Sequence, residues 1–315
     1  MLDELRERLI ECIEARPGSR VLALLDPNHP VASYHELHIE RIAKRPSRPV
    51  LTAVARDDLL SEPSLHPRLL TLRTPRDRGY PDEALLESTL ECARQRSVSI
   101  NGAYVCGWLV ADAPETEVAA QLKRGMVMSD PSSRKRKVLA LFEPHRLMLA
   151  RHLAPASWLS RWLGVVHSWF LVDGRGQLQE LKPALHDASH TSDLPGADFW
   201  LAQARVRRAR EVLLTLAKAG QAIPSDCEIK ADDALRAAYG QGLSEIEDVI
   251  FFAANQMLLR PGWHAHPAVA ACIDAARKGD AALTDGLTAL PDHVLDQLAA
   301  VSASTAPADN HRRSK

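Results

Sequence analysis

Tyr-Val-Cys-Gly-Trp-Leu-Val (Tyr104–Val110) and Leu-Gly-Val-Val-His-Ser-Trp-Phe-Leu-Val-Asp (Leu163–Asp173) are the two runs on which the fold turns. Each is apolar and of strand length, and each is closed by an acidic turn residue, Asp112 and Asp173. Asp112 with Glu115 reads as the start of a helix over Glu115–Arg124 that ends near Gly125. Ser129–Ser133 reads as a turn, Arg134-Lys135-Arg136-Lys137 as a basic approach, and Val138–Phe142 as a third strand. Glu143-Pro144-His145-Arg146 then opens a helix with Leu147, Leu149 and Leu153, continued past Pro155 through Trp158, Leu159 and Trp162. Asp173-Gly174 signals a hairpin returning along Gln177–Leu181.

Working outward, Leu2, Leu5, Leu9 and Ile13 recur at helical spacing up to Pro17-Gly18. Val21–Leu25 is a continuous apolar run ending in Asp26-Pro27, the pattern of a strand buried on both faces. Val50–Val54 and Leu69–Leu72 read as further strands, and Pro81-Asp82 opens a helix with a Leu85, Leu86, Leu90 stripe. Past a His/Ser/Asp/Pro/Gly-rich stretch no strand is convincing. Helices are expected over 198–219, 231–239, from the Ser244-x-x-Glu247 box to about Leu259, from His266-Pro267, and over 291–301. The expected fold is an α/β domain with a mixed, α+β-like sheet (1–185), a linker (186–196), an all-helical lobe (197–303) and a disordered tail (304–315).

Composition bounds the function. A net charge of −1, from 39 basic and 40 acidic residues, gives no global field for nucleic acid or an anionic membrane. Five scattered cysteines, never in C-x-x-C, fit neither a disulfide framework nor a thiolate zinc site and suit a reducing cytosol. No secretory signal and no run of membrane-spanning length stands out, so a cytoplasmic protein is expected.

No catalytic constellation is assembled. His264-Ala-His266 and the looser His29, His35, His38 group read as surface histidines before metal ligands, since no third ligand has suitable spacing. Cys106 lies inside an apolar strand, where thiols are inert. Gly174-Arg-Gly176 and Gly240-Gln-Gly242 lack the further glycine of a phosphate cradle. Asp57-Asp58 and Asp232-Asp233 read as solvated faces. The basic clusters Arg134–Lys137 and Arg205, Arg207, Arg208, Arg210 suggest phosphate contacts, yet no Phe or Tyr interleaves with them. Trp108 and Trp169 read as core, whereas Trp158 and Trp162, one helical turn apart, suit either core or an interface anchor.

Taken together these segments resemble the type VI secretion effector adaptors, chaperones built on a domain long catalogued as of unknown function. The matching marks are Leu24-Leu25-Asp26-Pro27, Gly107-Trp108-Leu109 followed by Gln121-Leu122-Lys123-Arg124, Leu141-Phe142-Glu143-Pro144-His145-Arg146, Leu163-Gly164-x-x-x-x-Trp169, Gly242-Leu243-Ser244 with Asp248, and Trp263-His264-Ala265-His266-Pro267. Two departures stand out. Glu143 and an inserted residue replace Asp-Pro-Arg, and Val165 stands where the family has Pro. The resemblance spans roughly residues 20–300. It implies a cytoplasmic, non-enzymatic carrier without cofactor or metal, which binds a cognate toxic effector and promotes its loading onto the VgrG spike. Whether the spike is touched directly stays open. On this reading Asp26, Trp108 and Trp169 are structural marks. Arg146, Trp158 and Trp162 are expected as partner anchors at a seam between domain and lobe, with Arg205, Arg207 and Arg208 steering an acidic partner. The competing readings are a nucleic-acid-associated regulator using the basic clusters and a hydrolase with a dispersed site.

Overall fold

The computed structural model describes residues 1–46, 49–77, 81–130, 135–184 and 194–299. The chain divides into two compact units, the first formed by Met1–Arg210 with Ala222–Ile229 and the second by Glu211–Gln221 with the residues from Lys230 onward.

The first unit is built on a six-stranded sheet. In chain order its elements are α1 (Leu2–Ala15), β1 (Arg20–Leu25), α2 (Ile39–Ala43), β2 (Leu51–Ala53), β3 (Arg68–Arg73), α3 (Glu83–Gln95), β4 (Val105–Ala111), α4 (Glu115–Met126), the small hairpin β5 (Val127–Ser129) and β6 (Arg136–Val138), α5 (Pro144–Leu153), α6 (Ala156–Leu163), β7 (Val166–Val172) and β8 (Leu178–Leu181). The strand order is β2-β3-β1-β4-β7-β8. Every pairing in it is antiparallel, so the sheet is not mixed as expected. The misleading signal has a physical origin. Alternate residues of a strand face opposite sides, and here helices cover both. Leu22, Leu24, Leu109, Trp169 and Leu171 face α4, α5 and α6, while Val21, Ala23, Leu25, Trp108, Val110, Phe170 and Val172 face α1 and α3. Strands buried on both faces read as unbroken apolar runs whatever their direction.

At the centre, β1 and β4 shift register: Leu24 faces Gly107 but Leu25 faces Val105, leaving an extra residue in β4. Gly107 sits at φ +136°, and a Cβ there would run into Phe170 O and the Trp169 indole. The glycine of Gly107-Trp108-Leu109 is thus set by a bulge pressed against β7.

Three local readings change. Val138–Phe142 is not a strand: only Val138 pairs, within β6, and Leu141 and Phe142 turn into the core just before α5. Asp112 does not cap α4, which starts after Pro114; its carboxylate accepts the Ser19 hydroxyl at 2.7 Å and faces His167 at 2.9 Å and Arg16 at 3.2 Å. Ser244 likewise does not cap its helix, which starts after Glu245.

Helix α7 (Ala197–Lys218) gives its first part, up to Arg210, to the first unit, so the boundary lies beyond the expected linker; residue 185, residues 186–193 of that linker and the tail from 300 lie outside the described residues. Helix α8 (Cys227–Gly240) likewise gives Cys227–Ile229 to the first unit. The second unit continues with α9 (Ile246–Leu258), α10 (Pro267–Lys278), α11 (Leu283–Thr288) and α12 (Asp292–Ala299), and holds no strand among its described residues. Buried Asp248 of α9 accepts the Leu283 amide at 2.8 Å, and Phe252 meets Trp263, whose indole donates to Gln256 at 2.8 Å.

Candidate functional site

Asp26 closes β1 as a buried carboxylate whose Oδ1 accepts the amide of Asn28 at 3.1 Å and its side-chain Nδ2 at 2.8 Å, an Asx turn that starts the loop. Trp108 and Trp169 are both fully buried. Their indoles donate to Thr89 Oγ1 at 2.9 Å and to Cys106 O at 3.3 Å. All three side chains are turned into the interior of the first unit.

Glu-Pro-His-Arg builds a buried charge network inside the first unit. Glu143 precedes α5 and accepts the Arg146 amide at 3.1 Å, capping the helix in the manner of an Asp or Ser. The same oxygen meets the Arg210 guanidinium at 2.6 Å, and both side chains are almost wholly buried. His145 donates through Nε2 to Ser97 O at 2.8 Å, while its Nδ1 lies 3.2 Å from Glu228. A ring with a carbonyl at one nitrogen and a carboxylate at the other carries both protons. Glu228 also accepts the Gly174 amide at 2.9 Å and the Cys227 thiol at 3.2 Å. Burial opposes charge on all of these groups, but opposite charges outweigh it. Glu143 is held at about 2 by Arg210, His145 and Arg146; Glu228 is lowered by His145, and His145 is raised by Glu228 and Glu143. Each of these ion pairs is turned inward, so the network braces the fold.

That changes the place of Arg146. Its half-buried guanidinium donates to Gln203 O at 2.9 Å and Gln203 Oε1 at 3.2 Å, and Gln203 Nε2 returns a bond to Arg146 O. Arg146 ties α5 to α7 and does not present itself to a partner. Arg210, counted with the basic face, is likewise buried. Arg207 is exposed, and Arg205 and Arg208 are half-buried.

Trp158 and Trp162 do come together, beside a groove of about 420 Å³ lined by Gln121, Arg124, Gly125, Val127, Met128, Trp158, Arg161, Trp162 and Leu194. Trp162 is mostly core: it stacks on Trp169 with centroids 5.5 Å apart, and its indole donates to Gly125 O at 3.1 Å. Half-buried Trp158 meets Phe199 edge-on at 5.7 Å. Sequence reasoning found the tryptophan pair from its helical spacing, but missed Met128 and Leu194. Gly125, which allows α4 to approach α6, was visible only as a helix end.

The remaining candidates stay apart. No group of three or more His, Cys, Asp or Glu side chains suited to a metal occurs among the described residues. Burial pushes the thiols of Cys106 and Cys227 well up and that of Cys92 to about 11, away from nucleophilic character. Arg134 lies outside the described residues, and Lys137 binds Asp130 at 2.6 Å. No helix of the described residues is long and apolar enough to cross a membrane. Comparison of the chain with protein-family models, curated proteins and solved structures finds no match.

Proposed function

We propose that the protein is a non-catalytic cytoplasmic adaptor that holds a toxic effector and promotes its loading onto the VgrG spike of a type VI secretion system. One observation carries the reading: the segments of the first unit that bear the resemblance, far apart in sequence, pack against one another. Gly107 lies against the Trp169 indole, that indole bonds to Cys106 beside it, and Glu143 and His145 anchor the following helix to Arg210 and Glu228. Motif residues spent on mutual packing fit a carrier better than a reaction centre. An effector must also be released, which favours a modest, partly polar contact surface, and the groove beside Trp158 is of that kind.

Affinity capture of the tagged full chain from its own cytosol, with mass spectrometric identification of what co-purifies, tests this. Recovery of one toxin-like protein, alone or with a spike protein, is the expected result. Recovery of nucleic acid alone at low and moderate salt overturns it.

A further inference from the structure

The loop leaving β1 and the loop entering β4 enclose a crevice of about 680 Å³ in the first unit, lined chiefly by Asn28, His29, Gln95, Arg96, Ser99 and Asn101. Its walls are fixed. Arg96 Nη1 donates to His29 O at 2.9 Å and to Pro30 O at 3.1 Å, so one guanidinium nitrogen ties the first loop to the second. The Asn28 side chain commits its amide protons to Asp26 Oδ1 at 2.8 Å and Leu65 O at 3.0 Å. The His29 ring lies so close on Gly102 that a Cβ there would stand 2.7 Å from Nε2. Ser97, where the second loop begins, accepts the His145 imidazole at 2.8 Å.

The lining selects a chemistry. No carboxylate belongs to it; buried Asp26, 3.8 Å from His29 Nε2, stays outside the crevice. Arg96 is half-buried yet forms no ion pair among the described residues. With Nη1 committed to two carbonyls, the edge left over is Nε and Nη2, two parallel N–H groups that match a carboxylate or phosphate bidentately. Burial lowers the pKa of His29, so its ring adds no second charge at neutral pH. The other side chains are neutral and offer both hydrogen-bonding roles. Asn28 keeps its Oδ1, and Gln95, whose Nε2 donates to Glu91 at 2.8 Å, keeps its Oε1. Ser99 and Asn101 have no side-chain partner among the described residues. Donors and acceptors side by side suit hydroxyl groups, which play both parts. One forked cation suits a single anionic group, not the repeated phosphates of a nucleic acid.

We propose that this crevice binds a small hydroxylated molecule bearing one oxyanionic group, the anion on the Nε and Nη2 edge of Arg96 and the hydroxyls on Asn28, Ser99 and Asn101. The inference is independent of the adaptor reading, so either can fail alone.

Isothermal titration of the full chain with four probes tests it. Sorbitol phosphate and gluconate join hydroxyls to a phosphate or a carboxylate; sorbitol lacks the charge, and inorganic phosphate lacks the body. At least one charged polyol is expected to bind at least roughly tenfold more tightly than both sorbitol and inorganic phosphate. The tighter of the two identifies the oxyanion as phosphate or carboxylate. Arg96→Lys keeps the charge without the fork and should weaken that probe by about tenfold. Because Nη1 also braces the loop, a second variant leaves Arg96 in place. Asn101→Asp, at an exposed position, sets a carboxylate against the anion and should abolish its binding while the urea midpoint stays unchanged. Binding of neither charged polyol at about 10 mM overturns the proposal. So does sorbitol or inorganic phosphate binding as tightly as the charged polyols, or a charged polyol whose affinity Asn101→Asp leaves untouched.

Discussion

At Gly107 the backbone sits at φ +136° with Phe170 O and the Trp169 indole against the Cα. Gly107→Ala therefore meets strain and collision together, and a loss of about 3 kcal/mol or more is expected in urea unfolding. The buried charges give a second, pH-dependent prediction. His145 is held above its ordinary 6.5, so the stability its charge contributes is complete below pH 6.5 and fades as pH rises through the raised value. Glu143 and Glu228 are held below their ordinary 4.5, so their contribution is complete above pH 4.5 and fades as pH falls toward the lowered values. A stability plateau from pH 4.5 to 6.5 is expected from these groups, and His145→Gln should alter the alkaline limb in urea midpoints measured against pH. Glu143→Gln leaves the Arg210 guanidinium buried beside a neutral group and should cost about 3–5 kcal/mol. At this scale the sequence was partly legible. Glu143 and His145 stood out as a motif, but their partners Arg210 and Glu228 sit in distant helices that no local pattern connects to them.

Helices and strands were the most legible level, because covering both faces of the sheet imposes apolar stripes on α1 and α3 and unbroken apolar runs on the central strands. The errors arose where local chemistry allowed two outcomes. Val138–Phe142 has a strand's composition, yet Glu143 caps α5 immediately afterwards, and the chain turns inward to deliver Leu141 and Phe142 to the core. Asp112 has a cap's composition, but Ser19, Arg16 and His167 draw its carboxylate away and Pro114 takes the position before α4. The approach of α4 to α6 depends on Gly125. Gly125→Ala should separate the helices or tilt Trp162, costing about 1–3 kcal/mol in thermal or urea unfolding and altering tryptophan emission. The groove was hidden because its residues come from two helices, a short strand and Leu194, with no shared repeat.

For the whole molecule, the consequential fact is that the first unit is not one stretch of chain. Its core takes in Ala202 and Val206 against Leu149, and its ion pairs take in Arg210 and Glu228. A fragment of residues 1–196, which a boundary at the expected linker would recommend, keeps Glu143 and His145 but lacks their charged partners Arg210 and Glu228. It should lack the near-ultraviolet signature of packed Trp108 and Trp169, whereas a chain extended through residue 240 should restore it. The same discontinuity governs birth as well as stability. On the ribosome, the sheet can be finished long before Arg210 and Glu228 have been translated, and at roughly 5–20 residues per second the nascent chain waits seconds with charged groups unmatched in its interior. The N-terminal portion cannot lock until α8, the second helix after the sheet, has begun to emerge, which makes the interval between the last strand and that helix the moment when this protein most needs protection from aggregation.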